Sequence, residues 1–215
     1  YLPGAVAFRL PWFDRPRRAA LAADERAFWA VILSIAWSLV VVLALAGVGR
    51  YTFGRLVGID AGVSLVVVLG WRGRLHYTPD ERAPRPSWSA AVPLALIALG
   101  CWLYFPASEY VLGGKDPGTY LNEGIQIAQR GSLTIDERVI ATVPEPYRAL
   151  FFPPTRRQEE YYGLRFMGFF IQAPAMGRTI GQFPHLFPAS IAIGYGLRGL
   201  TGARGTTGHW AILGL

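Results

Sequence analysis

Residues 28 to 48 read FWAVILSIAWSLVVVLALAGV, and none of them is charged. About 20 apolar residues wound as a helix reach across a hydrocarbon core about 30 Å thick. A helix satisfies its own backbone hydrogen bonds, which lipid cannot do. The run is too long for the apolar core of a cleaved signal peptide, and more such runs follow. LVGIDAGVSLVVVLGW covers Leu56 to Trp71, with Asp60 near one end and expected at the membrane interface. WSAAVPLALIALGCWLYF covers Trp88 to Phe105 and carries Pro93, an expected kink. FPHLFPASIAIGYGL covers Phe183 to Leu197, and a fifth run begins near His209. The expected fold class is mainly α: a polytopic helical membrane protein with four to five transmembrane helices and one large extracytoplasmic loop.

Composition agrees. Hydrophobic residues make up 52% of the 215 and charged residues 16%, against about 25% charged in soluble domains. Seven Trp, ten Tyr and twelve Phe suit membrane interfaces. In so apolar a chain the net charge of +7 points to cytoplasmic loops and anionic headgroups rather than nucleic acid. No zinc-finger spacing or basic helical run supports a nucleic-acid partner. A single cysteine, Cys101, excludes an internal disulfide and any multi-cysteine metal site. The chain opens on Tyr1 and stops at Leu215 inside an apolar stretch, so we expect a piece of a longer protein, inactive by itself.

Arginine placement orients the spans. Arg9, Arg15, Arg17, Arg18 and Arg26 precede the first, and Arg72, Arg74, Arg82 and Arg85 follow the second. The expected organisation is therefore a cytoplasmic tail (1–27), three spans (28–105), an extracytoplasmic loop (106–182) and a truncated pair of spans (183–215). The turn Arg198 to Thr207 is expected on the cytoplasmic side. Leu10, Trp12 and Phe13 beside the early arginines suit either a headgroup-bound helix or an ordinary tail.

The long loop carries the polar chemistry. GGKDPGTYLNEGIQIAQRGSL opens it. Asp116 suits an N-cap, Pro117 a first helical position and Gly131 the position after the helix. Tyr120, Gly124, Ile127 and Ala128 fall on one stripe, with Leu121 and Ile125 alongside. SLTIDERVIATVP reads as short extended or irregular structure, and PEPYRALFFPPTRRQEEYYG as an irregular surface with short helices.

A long apolar run followed by DPGTYLNEGIQIAQRG resembles the start of the GT-C glycosyltransferases. More narrowly it is similar to glycosyltransferase family 39, the group of protein O-mannosyltransferases and lipid A aminoarabinose transferases. Asp116, Pro117, Tyr120 and Gly131 carry the match, with a second patch in QFPHLFPASIAIGYGLRGLTG, residues 182 to 202. The resemblance covers roughly residues 88 to 215. Protein O-mannosyltransferases often show Asp-Glu at the acidic site, where this chain has Asp-Pro. The resemblance implies an integral enzyme of a bacterial plasma (inner) membrane. It implies a polyprenyl-phosphate sugar donor and a lipid, glycan or protein acceptor. It requires no certain cofactor and leaves room for a divalent metal.

The phosphate leaving group needs no strong general acid, so one carboxylate that takes the acceptor's proton suffices, at about 10²–10⁴-fold. Asp116 is the candidate base, and its alternative is a plain helix cap. Candidate substrate-binding residues are Lys115, Tyr120, Glu123, Arg165 and His185. The favoured alternative for Lys115 is a solvated loop residue, and for Tyr120 packing on the helix stripe. Glu123 reads as a surface charge on the Asp116 face, and His185 as a satisfied interfacial histidine. Arg130, Arg138, Arg156, Arg157 and Arg178 are further cations in the loop. Two other classes fit the same chain: a transporter, and a membrane protein that uses the loop to bind a partner. A transporter would gather its polar sites near the bilayer midplane, whereas here they gather in one loop.

Overall fold

The computed structural model describes residues 2–11, 14–75, 91–106, 116–152, 164–166 and 168–213, with backbone only for 164–166 and 209–213. Among the described residues the protein is mainly helical, at 75%. It divides into two compact units. One comprises Tyr1–Val41, Gly54–Tyr104 and Ala211–Leu215; the other comprises Val42–Phe53 and Phe105–Trp210.

The first unit contains α1 (Leu2–Arg9), α2 (Arg15–Ala20), most of α3 (Ala23–Gly47), α4 (Phe53–Trp71) and α5 (Ala91–Tyr104). The Glu25 carboxylate accepts the Ala22 N–H at 2.9 Å, tying down one of the donors that a helix start leaves open. The uncharged run then continues as helix to Gly47, and α3 and α4 are each long and apolar enough to cross a membrane. Their outer faces stay apolar: Val40, Leu65, Val66 and Leu69 are exposed, as are Leu94 and Trp102 on α5. Pro93 lies within α5, whose described part begins at Ala91. Residues 88–90 of the expected third span lie outside the described residues, as do Trp12 and Phe13 of the tail. α1 is buried along Ala5, Val6 and Phe8, and the Gly4 N–H donates to Ser34 Oγ on α3 at 2.8 Å. Asp60 is half-buried. It lies seven residues inside α4 and accepts a 2.8 Å hydrogen bond from Ser38 on α3.

The second unit contains α6 (Asp116–Arg130), β1 (Thr134–Asp136), α7 (Arg138–Thr142), α8 (Glu145–Phe151), β2 (Leu164–Phe166), β3 (Phe169–Ala173), β4 (Arg178–Gly181) and α9 (Leu186–Leu213). The sequence reading missed the sheet, which is antiparallel in the order β1-β4-β3-β2. Strands of three to five residues are too short to show the alternation that marks a strand. Long-range pairing sets them instead. Asp136 and Arg178 face each other across β1 and β4, with Arg178 Nε 2.9 Å from the carboxylate. That hydrogen bond holds the Asp136 carboxyl below its usual range. Gly177, at φ 68°, closes the turn between β3 and β4, and a Cβ there would strike the Glu137 carbonyl.

α9 corrects the end of the expected layout. The expected turn over Arg198 to Thr207 shrinks to Arg198 and Gly199, the two non-helical residues in α9. The chain is helical again from residue 200, so the fifth run does not wait for His209. The two arms fold back on each other. Residues 194 and 206 of a straight helix would be about 18 Å apart, yet a Cβ on Gly194 would strike Thr206 Oγ1, and one on Gly202 would strike the Gly194 carbonyl. Only glycine lets the backbones meet so closely. The first arm, 186–197, is about 18 Å long, short of a hydrocarbon core about 30 Å thick.

Candidate functional site

α6 forms where its stripe places it. Leu121 and Ile127 are buried, and Leu121 joins Ile191 and Ala203 in one apolar cluster, with Tyr120, Ile125, Phe187 and Tyr195 packed on it. Gly124 lies against α9, so tightly that a Cβ would strike Ile191 and the Pro188 carbonyl. Gly131 ends the helix at φ 72°, its N–H on the Ile127 carbonyl. Its carbonyl in turn accepts the Tyr51 N–H at 3.0 Å, and Tyr51 is 2% exposed. Burial pushes the Tyr51 hydroxyl up to about 12.

Asp116 stands at the first residue of α6, exposed, at the mouth of a cavity of about 290 Å³. The walls are Tyr120, Leu121 and Phe187, with Arg204 and Thr207 from the second arm of α9. The hairpin is what brings Arg204 here. Folding α9 back on itself carries a cation from the expected cytoplasmic turn to the rim that Asp116 occupies. The sequence reading missed Arg204 and Thr207 for that reason. Nothing local in LTGARGTT marks them, because the signal is the close Gly194–Gly202 contact.

Tyr120 is half-buried. Its ring centroid lies 4.9 Å from Phe183 and 5.4 Å from Phe187, so it links α6 to the entry of α9. The surface reading of Glu123 is overturned: it is 2% exposed. Its Oε1 pairs with His185 Nδ1. Its Oε2 has no hydrogen-bond partner among the described residues and lies against Gly181, where a Cβ would strike it. Hydrogen bonding to Glu123 raises the His185 pKa above 6.5, outweighing the opposing effect of burial. His185 therefore has a buried partner, as a satisfied histidine should. Glu123 lies two turns, about 10.5 Å, along α6 from Asp116, so the two carboxylates share one helix, and His185 meets Glu123 from the entry to α9.

Other expected site residues gather less. Lys115, Arg156 and Arg157 lie outside the described residues. Arg165 sits on β2 opposite Phe170 of β3, and its side chain is not described. Arg130 approaches Glu137 at 3.9 Å, and Arg178 is engaged with Asp136. Among the described residues no group of three or more His, Cys, Asp or Glu side chains is arranged to hold a metal ion. The chain matches no family model, no curated protein and no solved structure.

Proposed function

We propose that the protein is an integral membrane glycosyltransferase of the GT-C type, moving a sugar from a polyprenyl-phosphate donor to an acceptor hydroxyl on the extracytoplasmic side. One observation carries the reading: Asp116 and Arg204 line the same cavity, an acid and a cation on largely apolar walls. The Asp-Pro-x-x-Tyr resemblance supports it. The membrane part rests on α3 and α4, with their length and exposed apolar faces.

In this mechanism the acceptor oxygen attacks the sugar's anomeric carbon as the bond from that carbon to the phosphate oxygen breaks. The acceptor's proton passes to the Asp116 carboxylate. The bonding pair leaves with the polyprenyl phosphate, whose added negative charge Arg204 offsets. Arginine suits this because its fork matches phosphate oxygens. Tyr120 and Phe187 narrow the cavity and exclude water from a donor that water would otherwise hydrolyse.

The test uses membranes carrying the protein at its natural length, with radiolabelled polyprenyl-phosphate mannose and aminoarabinose as donors. Transfer from at least one donor is expected, falling about 10²–10⁴-fold in Asp116→Asn. Asn caps a helix as well as Asp, so α6 should melt as before. Asp116→Ala removes both roles. Near-normal turnover in Asn, with loss of turnover and stability in Ala, would make Asp116 a cap and not the base. Binding of donors without consumption would favour a transporter or a binding protein.

A further inference from the structure

The α3–α4 pair holds a carboxylate in apolar surroundings, and the transferase chemistry has no use for it. Asp60 Oδ2 accepts a 2.8 Å hydrogen bond from Ser38 Oγ. Its Oδ1 is enclosed and has no hydrogen-bond partner among the described residues. Ser64, one turn on along α4, is buried and donates to the Asp60 carbonyl at 2.6 Å. Ser34, one turn back from Ser38 along α3, is buried and accepts the Gly4 N–H. These groups lie at the centres of their helices. Ser38 is the middle residue of the uncharged run 28–48. Asp60 and Ser64 are the eighth and twelfth of the 19 residues of α4. With α3 and α4 as spans, the Asp60 backbone lies about 10 Å or more from either end of α4, inside a hydrocarbon core about 30 Å thick.

We propose that Asp60 is the ligand of an intramembrane site for one monovalent cation, a proton or a sodium ion, held between α3 and α4. A bare carboxylate is costly inside a bilayer, and among the described residues no arginine, lysine or histidine pairs with Asp60. Ser38 and Ser64 spend their protons on Asp60 itself, one on the carboxylate and one on the carbonyl, and keep only acceptor lone pairs. Acceptor oxygens around a negative charge select a cation and reject an anion. Other charges on the helices that meet here lie toward the helix ends. On α4, Arg55 is five residues before Asp60, about 140° round the helix. On α3, Asp24, Glu25 and Arg26 are twelve residues or more before Ser38, about 18 Å along the axis. On α1, which reaches Ser34 through Gly4, the one charge is Arg9, and its guanidinium donates to the Ala5 carbonyl at 3.3 Å. The site rests on the membrane reading of α3 and α4 and is independent of sugar transfer.

Dicyclohexylcarbodiimide is the probe, added to the purified protein of natural length in phosphatidylcholine vesicles. It dissolves in the bilayer and reacts with a carboxyl group that carries a proton. The acid O–H adds across one C=N bond, and the adduct rearranges to a stable acylurea without losing an atom. Peptide mass locates the label. Asp60 should be labelled, at least tenfold faster at mildly acidic than at alkaline pH. Exchanging sodium chloride for choline chloride at fixed pH separates the two occupants. Protection by sodium identifies the sodium ion, and no protection identifies the proton alone; both support the cation site. Asp60→Asn keeps an oxygen for the Ser38 hydroxyl, so it should hold its melting temperature and lose only the label. The unaltered protein decides the matter even if that variant fails to fold. Asp24, exposed at the start of α3, should react with a water-soluble carbodiimide, and Asp60 should not. No label on Asp60 at any pH, with Asp24 still reactive, overturns the site and leaves the spans standing. A labelling rate indifferent to both pH and sodium also overturns it, because such an acid exchanges no cation. Equal reaction of Asp60 with both reagents would put it in water and remove the membrane reading of α4 along with the site.

Discussion

The Glu123 carboxylate, in the middle of α6, is paired with His185, sixty-two residues later at the entry to α9. The pair pins together the two helices that wall the Asp116 cavity. His185 has its pKa raised by this contact. Its contribution to stability is therefore complete below the unfolded value of about 6.5 and is lost as the pH rises through the higher folded value. The melting temperature should fall across that window, and His185→Gln should lack that component of the fall. Superimposable pH profiles for the two proteins would mean that the pair does not hold the helices. Glu123→Ala should cost about 1–3 kcal/mol at pH 6, where the histidine loses its partner.

Gly124 bears on the same junction through shape alone. Its backbone approaches Ile191 and Pro188 of α9 so closely that a methyl group has no room. Helix propensity favours Ala over Gly by about 1 kcal/mol, yet overpacking costs about 1–3 kcal/mol. Gly124→Ala should therefore be neutral to destabilising in thermal unfolding. A clear gain in melting temperature would show that α6 and α9 do not meet there.

Tyr51 tests a buried polar group. Its hydroxyl has no hydrogen-bond partner among the described residues, although the side chain is 2% exposed. Removing an unsatisfied buried hydroxyl relieves its desolvation cost. Tyr51→Phe should leave stability unchanged or raise it by up to about 1 kcal/mol. A loss of 1 kcal/mol or more would reveal a partner for the hydroxyl.

The elements legible in the sequence were those whose physics is local. α3 followed from an uncharged run, and α6 from an apolar stripe between Pro117 and Gly131. Contacts between distant segments were not legible. A glutamate on an amphipathic helix reads as solvated until its partner appears, and for Glu123 that partner is His185. The sheet depends on β4 lying between β1 and β3, which no short window reveals. Arg204 reached the Asp116 cavity only because Gly199, at φ 57°, and the small residues Gly194 and Gly202 let α9 fold in half. Cys101 lies in an apolar run, as read, and is exposed on α5.

That folded helix makes the sharpest prediction about topology. If the first arm of α9 is about 18 Å long and the second returns beside it, the chain enters and leaves this element on one side of the membrane. Thr207 would then share its side with Thr134 on β1, instead of lying in a cytoplasmic turn. Single cysteines at Thr134, Thr207 and Ser87, in a Cys101→Ala background, allow a direct test with a membrane-impermeant thiol reagent. In intact cells, Thr134→Cys and Thr207→Cys should label. Ser87→Cys, in the arginine-flanked loop expected inside, should label only after permeabilisation. If Thr207→Cys instead behaves like Ser87→Cys, the first arm crosses the bilayer. Arg204 would then lie opposite Asp116, and the shared cavity on which the transferase reading depends would not exist in the membrane.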